Sequence, residues 1–204
     1  LRRKDFDTPE DAPLLLALGR LHKAKAFDTL LQSVANVPEA YLWIAGEGDD
    51  RDSLEKLSAS LGVSNRVRFL GWRDGRAALF EAGDSFVLPS RYEPVGTVFV
   101  QAWAQKVPLV TTASDGPRQY VQDGQDGLMV AIDDGAALTA ALQRLIKDDE
   151  LRRRLAENGF RRYQNEFTKE HAIASYLDFY HEVLGREGLA QIVDHGDSTS
   201  YQSM

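Results

Sequence analysis

Cysteine is absent from this sequence, so neither a disulfide nor a thiolate metal site is open to it, which suits a reducing compartment. Histidine is scarce, and four scattered residues give no basis for a conventional metal cluster. Long apolar runs are missing too, none approaching the roughly 20 residues that span a bilayer. Positive charge is in deficit: the formal net charge is −7, which argues against nonspecific binding of nucleic acid or of an acidic membrane by the domain as a whole. No internal repeat is visible. The chain opens on Leu1, not Met, and is expected to be a piece of a longer protein, so no targeting signal can be judged from it. What remains is the composition of a soluble globular protein: 204 residues, 43% hydrophobic and 27% charged, enough for one domain with a real core.

Hydrophobic patterning divides the chain. Pro13–Leu18, Tyr41–Ala45, Arg66–Leu70, Ser85–Leu88 and Val107–Thr112 read as strands, most of them too continuously apolar to face water on either side. Between them helical spacing is expected over Thr29–Val34, Asp50–Leu61 and Gly75–Ala82, and again after Gly96, where Val98, Phe99, Ala102 and Trp103 share a side. Three further helices are expected at Gly135–Ile146, Glu150–Gln164 and Thr168–Leu184, the last closing the fold through Ile173, Tyr176, Leu177, Tyr180 and Leu184. Residues 1–12 carry no period and read as a linker remnant, 13–184 as the domain, and 185–204 as a disordered tail. Arg152–Arg154 with Arg161 and Arg162 have Asp148, Asp149, Glu150 and Glu157 beside them, so a solvated helix face is expected there.

One stretch organises the rest. A strand stops at Pro89 and Ser90, a loop carries the carboxylate of Glu93, and Pro94 and Gly96 turn the chain into a helix at Thr97. In an open α/β sheet this is where a ligand sits, because the first N–H groups of a helix lack partners and attract an anion. At the mouth of the first strand, Gly19-Arg20 and Lys25 offer two cations that suit a diphosphate, with Lys23 a rival for Lys25. Taken in isolation, a surface Arg or Lys is usually just solvated. Gly46-Glu47-Gly48 closes the second strand, and Gly71-Trp72-Arg73 closes the third. Trp72 is open to two readings, a half-buried packing aromatic or a platform for a base.

These motifs together resemble the C-terminal, donor-binding domain of the retaining glycosyltransferases of family 4 (group 1), which have the GT-B build. Gly19-Arg20-Leu21 with Lys25 and Asp28 is similar to that family's phosphate clamp, except that Ala26 stands where Gly is usual. Pro89-Ser90, then Glu93-Pro94 and Gly96, is similar to its signature turn, but the second carboxylate expected eight residues on is Gln101, and Gln119 replaces another. Asp123-Gly124 and Gly127-Leu128-Met129-Val130 are similar to its turn and sixth strand. The fold expected is therefore α/β, a doubly wound Rossmann-like parallel sheet of about six strands with C-terminal helices.

The resemblance implies a hexose transferred from a nucleoside diphosphate sugar to an acceptor held by an N-terminal domain, in cell envelope glycan biosynthesis. The acceptor can be membrane-associated, and the location is cytoplasmic or peripheral at the inner face of the membrane. It implies no cofactor, no metal and no nucleic-acid partner. Arg20, Lys25 and Glu93 take the catalytic roles: the cations neutralise the diphosphate, and Glu93 receives the sugar hydroxyls. Gly19, Gly46, Gly71, Trp72, Arg73, Val95, Gly96, Thr97 and Gln101 bind the donor, with the base near Gly71–Arg73 and the ribose at Gln101. The fragment alone is expected to bind nucleotide but to transfer sugar poorly or not at all. The alternatives are a different enzyme on the same two-domain build, such as an epimerase or a phosphorylase, or a non-catalytic nucleotide-binding or assembly domain with decayed carboxylates.

Overall fold

The computed structural model of the protein describes residues 1–196. Six parallel strands form one sheet in the order β3-β2-β1-β4-β5-β6. They are β1 (Leu14–Leu18), β2 (Tyr41–Ala45), β3 (Val67–Gly71), β4 (Ser85–Leu88), β5 (Leu109–Thr112) and β6 (Leu128–Val130). Every residue of β1, β4 and β5 is buried, as a parallel strand covered on both faces requires. β1 pairs with β2 from Leu14↔Tyr41 to Leu18↔Ala45, and with β4 at Leu15↔Ser85 and Leu16↔Phe86. The strand order therefore reverses between β1 and β4, which leaves a crevice beyond their carboxyl ends.

The helices are α1 (Phe27–Ala35), α2 (Arg51–Ser60), α3 (Arg76–Ala82), α4 (Thr97–Ala104), α5 (Asp115–Tyr120), α6 (Gly135–Lys147) and α7 (Asp149–Arg162). Although the strands read as unbroken apolar runs, alternate residues serve different layers. Leu15, Ala17, Leu42, Ile44, Val87 and Val110 pack with Leu30, Leu31 and Val34 of α1 and Leu138, Leu142 and Leu145 of α6. On α6 those three leucines recur at helical spacing, and the Asp134 carboxylate accepts the Ala137 N–H at 2.8 Å to cap its start. On β4, Phe86 meets Phe80 of α3 edge-to-face at 5.3 Å.

Residues 1–12 are part of this unit, not a free linker. The Arg3 guanidinium donates to the Ala82, Ala12 and Glu10 carbonyls and to Asp84. The Trp43 indole N–H donates to the Thr8 hydroxyl at 2.9 Å, and Phe6 stacks edge-on against Trp43 at 5.0 Å. Side-chain staples of this kind leave no hydrophobic period, which is why the sequence hides them. The solvated-face expectation holds for Arg153, Arg154 and Arg161, which are exposed, and Arg152 pairs with Asp149. It fails for Arg162, which is only 19% exposed in its side chain, pairs with the buried Asp126 at 2.8 Å and lies 5.3 Å over the Trp103 ring.

A second compact unit begins at Gln164 and contains α8 (Lys169–Gly196). Helix α8 continues twelve residues past Leu184, where the sequence suggests a tail; residues 197–204 of that tail lie outside the described residues. Ile173, Tyr176, Leu177, Tyr180 and Leu184 are exposed, so they do not form the buried stripe expected of them. No helix among the described residues is long and apolar enough to cross a membrane.

Candidate functional site: a basic cleft at the sheet's switch point

A cleft of about 610 Å³ opens beyond the carboxyl ends of the central strands. Its walls come from the loops after β1, β2, β3 and β4, which are laced together by their backbones. The Gly19 N–H donates to the Ala45 carbonyl at 3.0 Å, Leu21 to Glu47 at 2.9 Å, and Gly46 to Gly71 at 2.9 Å. The loops nearly touch at Gly46, where a Cβ would fall 1.9 Å from the Gly19 carbonyl oxygen; only glycine fits.

The loop after β1 brings Lys25 into the cleft. The His22 ring accepts the Ala24 N–H at 3.2 Å, capping a single 3₁₀ turn at Lys23–Lys25, and Ala26 then adopts the left-handed conformation at φ 51°. That turn lays the Lys25 stem over Gly19. Lys23 is exposed and does not line the cleft, so of the two rivals it is Lys25 that faces inward. Arg20 also lines the cleft, its guanidinium 3.2 Å from Asp49 with both side chains largely in solvent.

The loop after β4 carries Glu93, which is 8% exposed. Its carboxylate lies 2.5 Å from the Lys25 ammonium and accepts from the buried Ser90 hydroxyl at 3.4 Å. Arg91 binds this loop to the first one. Its guanidinium donates to the Lys23 carbonyl at 2.8 Å, to both oxygens of Asp28 at 2.9 Å, and to Thr29 at 3.1 Å, and pairs with Asp133 at 2.6 Å. The Arg91 and Tyr92 N–H groups add two bonds to the Ala24 carbonyl. Burial is the largest single influence on the Asp28 carboxyl and pushes it up, but the Arg91 hydrogen bonds, the backbone N–H groups of Thr29 and Asp28 and the Arg91 charge together outweigh it and hold the group below the usual carboxylate range; bonding to Asp28 raises Arg91 in turn.

Gly96 starts α4 at φ 76°, and a Cβ there would press on Glu93 and Phe99 at 3.0 and 3.1 Å. No side chain caps α4, and Thr97 and Val98 of its first turn line the cleft.

At the far end Trp72 is 70% exposed, with its indole N–H donating to Asp74 at 3.3 Å. It is therefore not a half-buried packing residue. Arg73 donates to the Leu70 carbonyl at 2.9 Å with its guanidinium 5.2 Å over the Phe6 ring. Gly19, Arg20, Lys25, Gly46, Trp72, Arg73, Glu93, Gly96 and Thr97 thus line one cleft, but three candidates do not. Gly71 does not line it, and its carbonyl accepts the Gly46 N–H. Val95 is 53% exposed, its backbone against Gly116. Gln101 faces a separate hollow of about 240 Å³, where its side-chain oxygen accepts from Arg76 at 3.4 Å.

Arg76 lines both hollows and escaped the sequence reading, since an Arg opening a short helix looks like any solvated cation. The main cleft sets four cations, Arg20, Lys25, Arg73 and Arg76, against two carboxylates, Glu47 and Glu93, in a chain that is acidic overall. Among the described residues no group of three or more His, Asp or Glu is placed to hold a metal ion.

A doubly wound parallel sheet with a basic cleft at its switch point, bordered by the uncapped start of a helix, defines a Rossmann-like class. Within that class the chain belongs to the glycosyl transferases group 1 family, whose model matches residues 2–162, and it is a glycosyltransferase domain of the GT-B fold. It is 43% identical over 175 residues to the lipopolysaccharide core biosynthesis glycosyltransferase LpsE of Rhizobium meliloti, covering 86% of this chain and 52% of that protein. Sucrose-phosphate synthase from Thermosynechococcus elongatus superposes with a TM-score of 0.82 at 30% identity, over 89% of this chain and 48% of that one. Anabaena HepE, solved with UDP and glucose, shares the fold at a TM-score of 0.79 and 24% identity, over 86% of this chain and 50% of its own. The chain spans about half the length of the curated relatives it matches.

Proposed function

We propose that this chain is the sugar-nucleotide-binding half of a retaining glycosyltransferase, which transfers a hexose from a nucleoside diphosphate sugar to an acceptor held by a further N-terminal domain. The observation that carries the reading is the convergence of Arg20, Lys25, Glu93 and the uncapped start of α4 on a single cleft. In this reading Arg20, Lys25 and the α4 N–H groups stabilise the diphosphate as the glycosidic bond breaks. Glu93 accepts hydrogen bonds from the sugar and steadies the positive charge at its anomeric carbon. Trp72 and Arg73 form the base end. Removing one leaving-group cation in a complete enzyme is expected to cost ~3 kcal/mol of transition-state stabilisation, a hundredfold or more in rate.

The likeness to LpsE supports a cell-envelope glycan as acceptor, and with it a cytoplasmic or membrane-peripheral setting. Calorimetric titration of the chain with UDP, GDP and ADP tests the reading. One of the three binds, and Lys25→Ala weakens that binding at least tenfold; a folded sample that binds none of them overturns it. A second reading, a nucleotide-binding module without transferase activity, is favoured by Gln101, which faces Arg76 outside the main cleft where the family resemblance puts a ribose-binding carboxylate. Sugar transfer by the full-length parent protein excludes that module.

A further inference from the structure

We propose that Glu93 competes with the diphosphate for Lys25, and that this internal ion pair makes the cleft prefer a sugar nucleotide over the same nucleotide stripped of its sugar. The inference rests on the sugar-nucleotide reading of the cleft.

The two cations offered to a diphosphate are not equally available. Arg20 is paired with Asp49 in open solvent, their side chains 67% and 81% exposed, and such a pair is exchanged at little cost. The side chains of Lys25 and Glu93 are 24% and 11% exposed, their charged atoms only 2.5 Å apart. Drawing Lys25 toward a phosphate leaves the Glu93 carboxylate, in a nearly closed position, with the Ser90 hydroxyl at 3.4 Å as its remaining donor among the described residues. A buried carboxylate stripped of its charge partner is costly. A sugar on the diphosphate removes that cost, because its hydroxyls can donate to Glu93 in place of the Lys25 ammonium. A bare nucleoside diphosphate has no hydroxyl at that position and pays the whole penalty. Once the sugar has left, the carboxylate returns to Lys25 and weakens the hold on the spent nucleotide. Glu93 on this view sets specificity between substrate and product.

The test uses whichever of UDP, GDP and ADP the chain binds, together with a panel of that nucleotide's sugar conjugates. Glu93→Gln, which keeps the shape and removes the charge, is expected to bind the bare nucleotide roughly tenfold more tightly than the unsubstituted chain, while the advantage of the sugar conjugate collapses. Equal or weaker binding of the bare nucleotide by a variant that still melts cooperatively overturns the proposal. The unsubstituted chain supplies a second arm that does not depend on the variant folding. At least one conjugate binds more tightly than the bare nucleotide, and a bare nucleotide that outbinds every conjugate also overturns it. Binding of no nucleotide at all removes the underlying reading of the cleft, and this inference with it.

Discussion

Ala26 shows how a single departure from a motif becomes a structural fact. The resemblance puts Gly there, and the structure explains why: φ is 51°, a conformation that costs a residue with a Cβ about 1 kcal/mol or more. The alanine is fully buried, so its methyl recovers part of that cost by packing. Ala26→Gly is therefore expected to be neutral to stabilising by up to about 1 kcal/mol, where most substitutions at a buried site destabilise; chemical denaturation reads the difference, and a clear loss of stability contradicts the assigned backbone. At this scale the sequence was informative where a residue type is chemically unusual. Glu93, alone in a turn of Pro and Gly, could be singled out, and so could the pairing of Arg20 with Lys25. Arg76 could not, because its part depends on a helix direction that no local pattern encodes, and the resemblance that put Gln101 at the ribose says nothing of the separate hollow that this side chain lines beside Arg76.

Among the elements, the two loops that carry Lys25 and Glu93 are held together by Arg91, which makes the pair Arg91–Asp28 a stability determinant with a definite pH signature. The Asp28 carboxyl is held low in the folded state, so its contribution is complete above its unfolded value of about 4 and is lost as the pH falls through the lower folded value. Asp28→Asn is expected to destabilise the chain at pH 7 by roughly half to one kcal/mol, a modest figure because solvent reaches the pair. Once the pH has fallen below that folded value, the gap between the two proteins closes. Urea unfolding across pH 2.5 to 7 measures it, and a gap that stays constant with pH contradicts the ion pair. Most strands and helices of the first unit were legible to within a residue or three because their periods are strong: Tyr41–Ala45 and Ser85–Leu88 match the observed strands end to end, whereas the short α5 was not expected and β6 came from the resemblance. Elements fastened by side chains instead of apolar period were not legible, and residues 1–12 are the case in point. For α8 the period was read as a buried stripe, whereas those side chains stand exposed. Periodicity reports which residues share a side of a helix and does not report whether anything covers it.

For the whole molecule the governing feature is polarity of charge. A chain of formal charge −7 concentrates four cations around one concavity, so its acidic remainder repels an anion that the cleft attracts. Nucleotide affinity is accordingly expected to fall severalfold as salt rises from about 0.05 to 0.5 M, since the screening length shrinks from above 10 Å to a few ångströms. Titration at three salt concentrations reads the slope, and salt-independent affinity contradicts an electrostatic site. This asymmetry was invisible in the composition, which reports the sum of charges and not their arrangement.

The three tryptophans are distributed so that two, Trp43 and Trp103, are wholly enclosed and the third, Trp72, stands at the rim of the cleft. The molecule thus contains its own optical reporter. Acrylamide should quench one emission component readily and leave a shielded one nearly untouched, and an arriving nucleobase should protect the quenchable fraction. Trp72→Phe should abolish that fraction while sparing the rest. Occupancy of the cleft can then be followed in real time, without a label, from the light of one indole ring.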